Sequence, residues 1–422
     1  MKNKIRFIIL IALFIPVLTT SCGKLFTPTY PRDQIPEAIQ HLCKQEYSIK
    51  EKVEVKITGK TLGVRVHFDE LLTIDLKLQE KALDKLQNLL RILRRICLST
   101  DADLDFFVIV GYEKKLGFEI VFYGYLDDLR RARAGWMSPD DYFQRLIKTM
   151  RMNTLRWGES RINKLISNIQ SGDMIKVIVN NFPPGTKLSD LSPEFLKILI
   201  DLGKKNYIRW QTIDSRSVPT GSQKRLYYIE AKEHFTPKIK DAGNLQYPSD
   251  TIHKFYILVS VDDLNPIIQN IYTLETLPRQ FRRLGAPEMW KEDDFYVEDF
   301  LFHQFLSTQI VQRIQSGMNK DRQIEDQGKK GLFSLKGDFV VQDRITSETQ
   351  LSDPSENIYK ITITPSKGST APIPQKLIDL ALKTVKDVCN KYHFYDLGNI
   401  QLLDNKGNIL LAIDKPTLFS NH

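Results

Sequence analysis

One short acidic stretch has the spacing of a cation site. In "DADLD", Asp101, Asp103 and Asp105 occupy alternating positions, from which loop carboxylates can converge on Ca²⁺. Phe106 stands where an EF-hand loop has glycine, so the sharp turn that such a loop needs is not encoded. A solvated connection before a strand is the favoured interpretation, and we expect no metal here.

Asp299 and His303 form a second candidate pair. They lie four residues apart in "WKEDDFYVEDFLFHQF", one turn of a helix, so they could share a metal ion or a proton. Two ligands make an incomplete metal site, and a core histidine oriented by an acid is the favoured interpretation. The aromatic residues of this stretch could line an apolar ligand cleft, although core packing is favoured. They are Phe295, Tyr296, Phe300, Phe302 and Phe305.

Motifs that mark common enzyme classes are missing from the sequence. There is no HExxH, GxSxG, GxGxxG, Walker-type glycine loop or CxxC. The match to SxxK at "SCGK" begins at residue 21, inside the predicted signal peptide, and no SxxK begins after it. Catalytic triads assembled by folding leave no fixed spacing, so enzyme activity is disfavoured without being excluded. We expect no resident cofactor.

Basic residues are concentrated between Leu129 and Leu165, where nine basic side chains stand against three acidic ones. Arginine predominates, and its planar guanidinium group suits phosphate or carboxylate groups. The predicted contacts for an anionic partner are Arg130, Arg131, Arg133, Arg145, Lys148, Arg151 and Arg156. A merely solvated helix face is the alternative interpretation.

The N-terminus has the pattern of a secretory signal peptide. Lys2, Lys4 and Arg6 precede twelve uncharged, mostly apolar residues that run from Phe7 to Leu18. Twelve helical residues span roughly 18 Å, which is less than the roughly 30 Å of a hydrocarbon core. A permanent membrane-spanning helix is therefore disfavoured, and residues 1–21 are predicted to be removed.

The stretch "LTTSCGK" places a cysteine directly after this segment. With Thr20 and Ser21 before Cys22, it resembles the lipobox of bacterial lipoproteins, in which the signal peptide is cut and the new N-terminal cysteine is acylated. Thr19 departs from the pattern, which has an aliphatic residue at this place. The resemblance implies lipidation at Cys22; a secreted protein with a free Cys22 is the alternative. Gly23, in place of aspartate, implies the outer membrane, facing the periplasm.

Residues 22–36 are predicted to form a tether between the lipid and the folded body. Pro28, Pro31 and Pro36 disfavour a helix and favour extended chain. At about 3.1 Å per residue, such a tether reaches roughly 40 Å from the bilayer. An extracytoplasmic location argues against nucleic acid as a partner and leaves anionic lipid, an anionic envelope polymer or an acidic protein.

Three cysteines follow Cys22, at Cys43, Cys97 and Cys389. An odd number allows at most one intramolecular disulfide in an oxidising compartment, and the sequence does not fix a pairing. Buried apolar cysteines on helix faces are the favoured interpretation.

An α+β fold in modules is predicted, and residues 37–135 form the first module. Alternating apolar residues predict one hairpin over residues 53–68 and another over 106–122. Between them, three- and four-residue spacing predicts a helix with one buried face. That face consists of Leu83, Leu86, Leu90, Leu93 and Cys97.

Residues 358–422 predict a second module of strand, helix and hairpin. "YKITIT" is typical of a strand, and "NIQLLDNKGNILLAI" of a hairpin that turns at Asn405 to Gly407. The helix between them should bury Leu377, Ala381, Leu382, Val385 and Cys389. The shared plan suggests a diverged duplication of the first module; a common α+β arrangement is the alternative.

The central region, residues 136–315, mixes helix and strand patterns. Tyr142 to Met150 and Ile162 to Ile169 predict one or two amphipathic helices, with Gly158 as a weak point. Strands are predicted at "IKVIVN", "YIRWQTI", "RLYYIEA" and "KFYILVSV", and helices near 265–284 and 288–316. Residues 316–357 turn polar and are predicted to be a linker containing at most one short strand.

Together these patterns predict a membrane-anchored extracytoplasmic lipoprotein that acts as a non-catalytic binding or assembly component of the bacterial cell envelope. The alternative is an envelope hydrolase or a solute receptor whose site is assembled from scattered residues.

Overall fold

Helices pack against mostly antiparallel sheets throughout the part of the chain that the computed structural model describes, which confirms the α+β class. The described residues are 29–73, 77–170, 174–183, most of 186–197, 208–235 without 222, 251–262, 265–291, 294–320, 333–341, 357–365 and 373–414. Cys22 and the tether up to residue 28 lie outside them, and so does the predicted signal peptide. The end of the predicted tether is wrong, because Arg32–Gln34 form a 3-10 helix and a helix that includes Pro36 begins at Ile35. Proline is tolerated there because it lies in the first turn.

The first sheet is built from two hairpins joined by a helix. In chain order the elements are α1 (Ile35–Gln45), β1 (Val53–Thr58), β2 (Thr61–His67), α2 (Glu80–Cys97), β3 (Phe106–Glu113) and β4 (Phe118–Tyr125). β2 pairs in parallel with β3, whereas β1 with β2 and β3 with β4 are antiparallel. A parallel pair needs a crossover, and α2 supplies it.

Alternation along the strands decides which face of this sheet is buried under helices. Leu62, Val64 and Val66 are fully buried on one face, and α1 and α2 pack on that side. The helix predicted for this module is confirmed, but its phase is partly wrong. Leu83 is 38% exposed, whereas Ala82 and Leu89 are buried.

The chain then forms α3 (Leu126–Arg133), α4 (Pro139–Arg145), β5 (Ile147–Met152), α5 (Thr154–Gln170) and α6 (Met174–Asn181). β5 lies beside β4 and completes the five-stranded order β1-β2-β3-β4-β5. A second sheet has the antiparallel order β6-β7-β8-β9. Its strands are Ile208–Gly221, Lys224–Phe235, Ile252–Asp262 and Asn265–Tyr272, and a short helix α7 (Arg279–Arg282) follows.

The close packing of α5 on the second sheet depends on one glycine. Gly158 lies where an added Cβ would be 2.1 Å from the hydroxyl oxygen of Tyr227. That hydroxyl donates to the carbonyl oxygens of Thr154 and Leu155, at 2.9 and 2.8 Å. Gly158 is therefore a contact point inside a continuous helix and not the break that its type suggested.

The C-terminal elements repeat the plan of the first sheet. They are α8 (Phe302–Lys320), β10 (Phe333–Val341), β11 (Asn357–Pro365), α9 (Gln375–Tyr392), β12 (Asn399–Leu403) and β13 (Ile409–Asp414). The order β10-β11-β12-β13 has one parallel pair, β11 with β12, spanned by α9. Both sets therefore run helix, hairpin, crossover helix, hairpin. This shared topology extends the similarity seen in the sequence, and common origin stays a hypothesis.

Contact density divides the chain into two units that differ from the predicted modules. Unit 1 comprises the chain up to Pro139 and Lys148–Glu298, and unit 2 comprises Asp140–Ile147 and Asp299–His422. The central region is thus not separate from the first module. The predicted linker is also interrupted, because α8 reaches Lys320 and β10 spans Phe333–Val341.

Three predicted elements have the wrong type. "IKVIVN" lies in α6, residues 147–152 form β5 instead of continuing a helix, and β9 occupies Asn265–Tyr272 where a helix was predicted. The first and third are short runs rich in apolar residues and the second has only six residues, so periodicity does not distinguish a strand from a helix in them. The helix predicted at 288–316 begins only at Phe302.

Candidate anion-binding sites

The seven basic residues predicted to form one contact surface lie in four elements. Arg130, Arg131 and Arg133 are in α3, Arg145 in α4, Lys148 and Arg151 in β5, and Arg156 in α5. Because Ile147–Met152 is a strand, these residues do not share one helix face opposite Phe143, Leu146, Ile147 and Met150. Arg145 belongs to unit 2 and the other six to unit 1.

Several of these side chains have structural partners. Arg131 Nε lies 2.8 Å from Asp127 Oδ2, one helical turn away. The Arg145 guanidinium lies 5.0 Å from the ring centroid of Tyr392. Arg156 donates to the carbonyl oxygen of Lys115. Arginine at these positions therefore contributes to folding as well as to the charge of the surface.

Arg130, Arg133 and Trp136 form an exposed surface that we call the α3 tip. Both arginines are exposed in the last turn of α3, and Trp136 is 83% exposed. The turn is held by Schellman-type bonds, from the Trp136 amide to the Arg131 carbonyl at 2.9 Å and from the Gly135 amide to the Ala132 carbonyl at 3.3 Å. Gly135 has φ +77°, which glycine adopts without strain.

A cleft opens in unit 1 on the face of the first sheet opposite α1 and α2. The cavity itself is small, about 30 Å³, and the space around its mouth is open to solvent. Its walls come from five parts of the chain. They are strands β2 to β5, the start of α5 at Asn153–Leu155, the turn of the β6–β7 hairpin, the start of strand β7 at Arg225, and the extended segment Asp294–Tyr296.

Arg65 is one of three arginines that line this cleft. It is 6% exposed, and its Nε and Nη2 lie 2.6 and 2.5 Å from Glu54 Oε2. The guanidinium also lies 4.9 and 5.0 Å from the ring centroids of Tyr112 and Phe295. These contacts fix the side chain against the sheet.

Glu54 is held ionised by its neighbours. Burial raises the pKa of this carboxyl, but hydrogen bonds from His67 and Lys52 and the charge of Arg65 outweigh burial, so the pKa falls to about 2. The His67 Nε2 and Glu54 Oε2 atoms are 2.6 Å apart. At neutral pH the Glu54 charge therefore offsets that of Arg65.

Arg151 lines the cleft from β5. Its Nε donates to Glu119 Oε2 at 2.7 Å, and its Nη1 donates to the Tyr123 hydroxyl at 3.2 Å. Burial alone lowers the pKa of Arg151, but the adjacent Tyr123 and Glu119 outweigh it and the pKa is raised. Of the seven predicted contact residues, this one is part of the cleft wall.

Arg225 and Asn153 complete the set of donors around the cleft. Arg225 is 4% exposed and donates from Nη1 to Ser217 Oγ at 3.1 Å. Asn153 is 1% exposed, and its Oδ1 accepts from the Leu155 and Arg156 amides at 2.9 and 3.2 Å. Asn153 is thus the N-cap of α5. Its Nδ2 has no hydrogen-bond partner among the described residues.

Sequence reasoning missed Arg65, Arg225 and Asn153. A faint signal was present, since Arg65 interrupts the apolar run "LGVRVHF" and Arg225 directly precedes "LYYI". A cation inside a strand pattern points either to the solvated face or to a buried ion pair, and the sequence does not decide between them.

The other candidates from the sequence are dispersed or paired. Asp103 and Asp105 form ion pairs with Lys60 Nζ, at 3.0 and 3.4 Å. Asp299 precedes α8 and so does not lie one helical turn from His303. Within the described parts of the chain, no group of three or more His, Cys, Asp or Glu side chains is placed to hold a metal ion.

The aromatic stretch is divided between the two units. Phe295 and Tyr296 line the cleft of unit 1. Phe305 is fully buried in unit 2, with its ring centroid 5.8 Å from that of Tyr392. Phe302 lies 6.0 Å from the same ring. The packing interpretation is confirmed for Phe305.

The three described cysteines are buried free thiols on α1, α2 and α9, as predicted. Burial raises the pKa of Cys43 to about 11, and burial also raises the pKa of Cys97 and of Cys389 to about 12. They are therefore unsuited to nucleophilic chemistry at neutral pH.

No family model matches the chain, and no curated protein is significantly similar to it. In the part of the chain that the structure describes, none of the helices has the length and apolar character needed to cross a membrane. The two surfaces described above, the α3 tip and the cleft, are therefore interpreted from their own chemistry.

Proposed function

We propose that the protein is a lipid-anchored extracytoplasmic component of the bacterial cell envelope that binds its partner without catalysis. The N-terminal sequence supports the anchor, since a signal-peptide pattern ends at "TSC" and a proline-rich stretch separates Cys22 from α1. One acyl chain gives only marginal membrane binding, so the anchor needs the two or three chains that the lipobox resemblance implies.

The observation that carries the binding role is the exposure of Trp136 beside two exposed arginines. A tryptophan that is 83% exposed leaves a large apolar ring in water. Tryptophan favours the lipid headgroup region, where its ring is buried and its N–H remains hydrated. Arg130 and Arg133 supply the charge that attracts anionic headgroups. The α3 tip therefore has the chemistry of a contact with an anionic bilayer surface.

A tether of the proposed length makes this contact accessible. Eight residues, 22–29, precede Tyr30, which pairs with Thr100, and at about 3.1 Å each they would confine the body to within roughly 25 Å of the membrane. This raises the local concentration of headgroups around the tip. The tip then needs only weak intrinsic affinity, which suits a surface of three side chains.

The anchor is tested by replacing Cys22. Cys22→Ser should abolish incorporation of labelled fatty acid and release the protein from the membrane fraction at high salt, while thermal unfolding of the body stays unchanged. Retention of the processed variant in membranes at 1 M salt would count against lipid as the principal anchor.

The α3 tip is tested on the chain from residue 22 with Cys22→Ser, so that the lipid does not dominate binding. Cosedimentation with vesicles containing anionic lipid should weaken about 30-fold for Arg130→Gln with Arg133→Gln, because each cation near a surface contributes about 1 kcal/mol. Trp136→Ala should weaken binding to both anionic and neutral vesicles. Lys81→Gln with Arg94→Gln removes two exposed charges from α2 and is the matched control.

Equal vesicle binding by the tip variant and the control would remove the tip from the proposal. Binding to an isolated envelope polymer or to an acidic protein, but not to anionic vesicles, would assign the tip to that partner instead.

A further inference from the structure

We propose that the cleft of unit 1 binds a small oxyanion of the phosphate type, held by Arg65, Arg151, Arg225 and Asn153. This site is separate from the α3 tip and does not depend on lipidation of Cys22. Three buried arginines line this one cleft, and Asn153 beside them has a side-chain amide donor without a partner among the described residues.

Carboxylates balance the arginines of the cleft. Three guanidinium groups and two carboxylates, those of Glu119 and Asp294, line it, and the Glu54 carboxylate paired with Arg65 brings these six groups to a formal charge of zero. Arg65 is matched by Glu54 and Arg151 by Glu119. An entering anion would therefore be held by the N–H donors of the arginines and not by a surplus of positive charge.

Asn153 provides the most specific sign of a ligand. Both amides that its Oδ1 accepts from belong to the first turn of α5, so the orientation of the side-chain amide is fixed by the helix cap. Nδ2 must then point away from those amides, and this buried atom of a cleft-lining residue has no partner among the described residues. A buried unsatisfied donor costs free energy, and an anion oxygen in the cleft would satisfy it.

The N-terminus of α5 adds to this attraction. α5 has 17 residues, and Thr154 and Leu155 at its start also line the cleft. The positive end of a helix dipole favours an anion within about one turn. Helix, amide and guanidinium donors therefore come from different elements around the cleft, which suits an anion with several oxygens.

The two carboxylates distinguish phosphate from sulfate. Near pH 7 every inorganic phosphate ion keeps at least one proton, and a phosphate monoester keeps one in part of its population because its second pKa is near 6 to 7. Such a proton can be donated to Glu119 or Asp294, whereas fully ionised sulfate meets these carboxylates only as like charges. We therefore expect phosphate to bind more tightly than sulfate.

The experiment is calorimetric titration of the chain from residue 22 with Cys22→Ser, using inorganic phosphate, glycerol 3-phosphate and sulfate as probes. Asn153→Asp keeps an oxygen to cap α5 but replaces the Nδ2 donor by a negative acceptor. It should weaken phosphate binding by at least tenfold without lowering the unfolding temperature. Asn163→Asp makes the same change at an exposed position of α5 and should bind as the parent does.

Asn153→Ser is a second variant that caps the helix with neither an amide donor nor a charge. It should also weaken binding, by about tenfold. Binding of inorganic phosphate alone assigns the site to the free anion, and tighter binding of glycerol 3-phosphate assigns it to a phosphate monoester. No binding of either probe at 10 mM, sulfate as tight as phosphate, or unchanged binding by both Asn153 variants would overturn the proposal.

Discussion

Replacing Glu54 by glutamine tests whether the ion pair beneath the cleft stabilises unit 1. Glu54 and Arg65 are directly opposite one another on β1 and β2, and Arg65 is 6% exposed. The pKa of Glu54 falls from its ordinary 4.5 to about 2, which at about 1.4 kcal/mol per pH unit corresponds to about 3.4 kcal/mol. The carboxylate is 23% exposed, so solvent screening reduces this to about 2 kcal/mol. Glu54→Gln should therefore lower the free energy of unfolding at pH 7 by about 2 kcal/mol.

The pH dependence of this difference gives it a signature. Because the folded pKa lies below the unfolded one, the stabilisation is fully present above about pH 4.5 and is lost as pH falls toward 2. The wild-type protein and the variant should therefore converge between these values. Urea unfolding followed by tryptophan fluorescence reports unit 1, since all four tryptophans belong to it.

Glu46→Gln is the matched control. Glu46 pairs with Arg95 at 2.7 Å, but the two side chains are 45% and 49% exposed, so the change should cost less than about 0.5 kcal/mol. A Glu54→Gln effect as small as that of the control, or one that persists undiminished at pH 2.5, would refute the assignment of this stabilisation to the Glu54 charge.

Three further predictions concern packing. Gly158→Ala would stabilise an isolated helix, but here it should destabilise unit 1 by about 1 to 3 kcal/mol, because the new methyl group overlaps Tyr227. A higher free energy of unfolding for the variant in a urea titration would contradict this contact. Val385→Ala should destabilise α9 by about 2 kcal/mol and Leu382→Ala by less than half as much, because Val385 is fully buried and Leu382 is not. Hydrogen exchange of the α9 amides measures both losses of stability. A larger loss for Leu382→Ala would show that the helix phase is wrong. The three buried cysteines should react with a thiol reagent only on unfolding, and rapid labelling of the native protein would contradict their burial.

The parts of the fold that the sequence predicts well are those in which one period dominates. Alternation over residues 53–68 and 106–122 and helical spacing in α2 and α9 each agree with the observed elements. The type of α6 and β9 is predicted wrongly because their apolar residues are adjacent, and that of β5 because it has only six residues with three apolar ones, so neighbours in space decide between strand and helix. β5, for example, lies beside β4, a pairing that its own six residues do not encode.

The candidate sites differ in how far the sequence predicts them. The basic composition of residues 129–165 drew attention to Arg130 and Arg133, which are exposed at the α3 tip. The cleft could not be predicted, because its walls come from segments as distant as Arg65 and Asp294. Only the folded sheet determines that Arg65 points away from the helices and toward that opening.

The division of the chain also governs the order in which it can fold. The backbone passes from one unit to the other after Pro139, Ile147 and Glu298. During synthesis, Asp140–Ile147 emerges before the rest of unit 2, whose residues 299–422 need roughly 6 to 25 seconds more at about 5 to 20 residues per second. Tyr142 and Leu146, which are 8% and 5% exposed in the complete protein, lack their C-terminal packing partners throughout that interval. A nascent or prematurely terminated chain ending near residue 298 would thus display an apolar segment that chaperones and proteases can recognise.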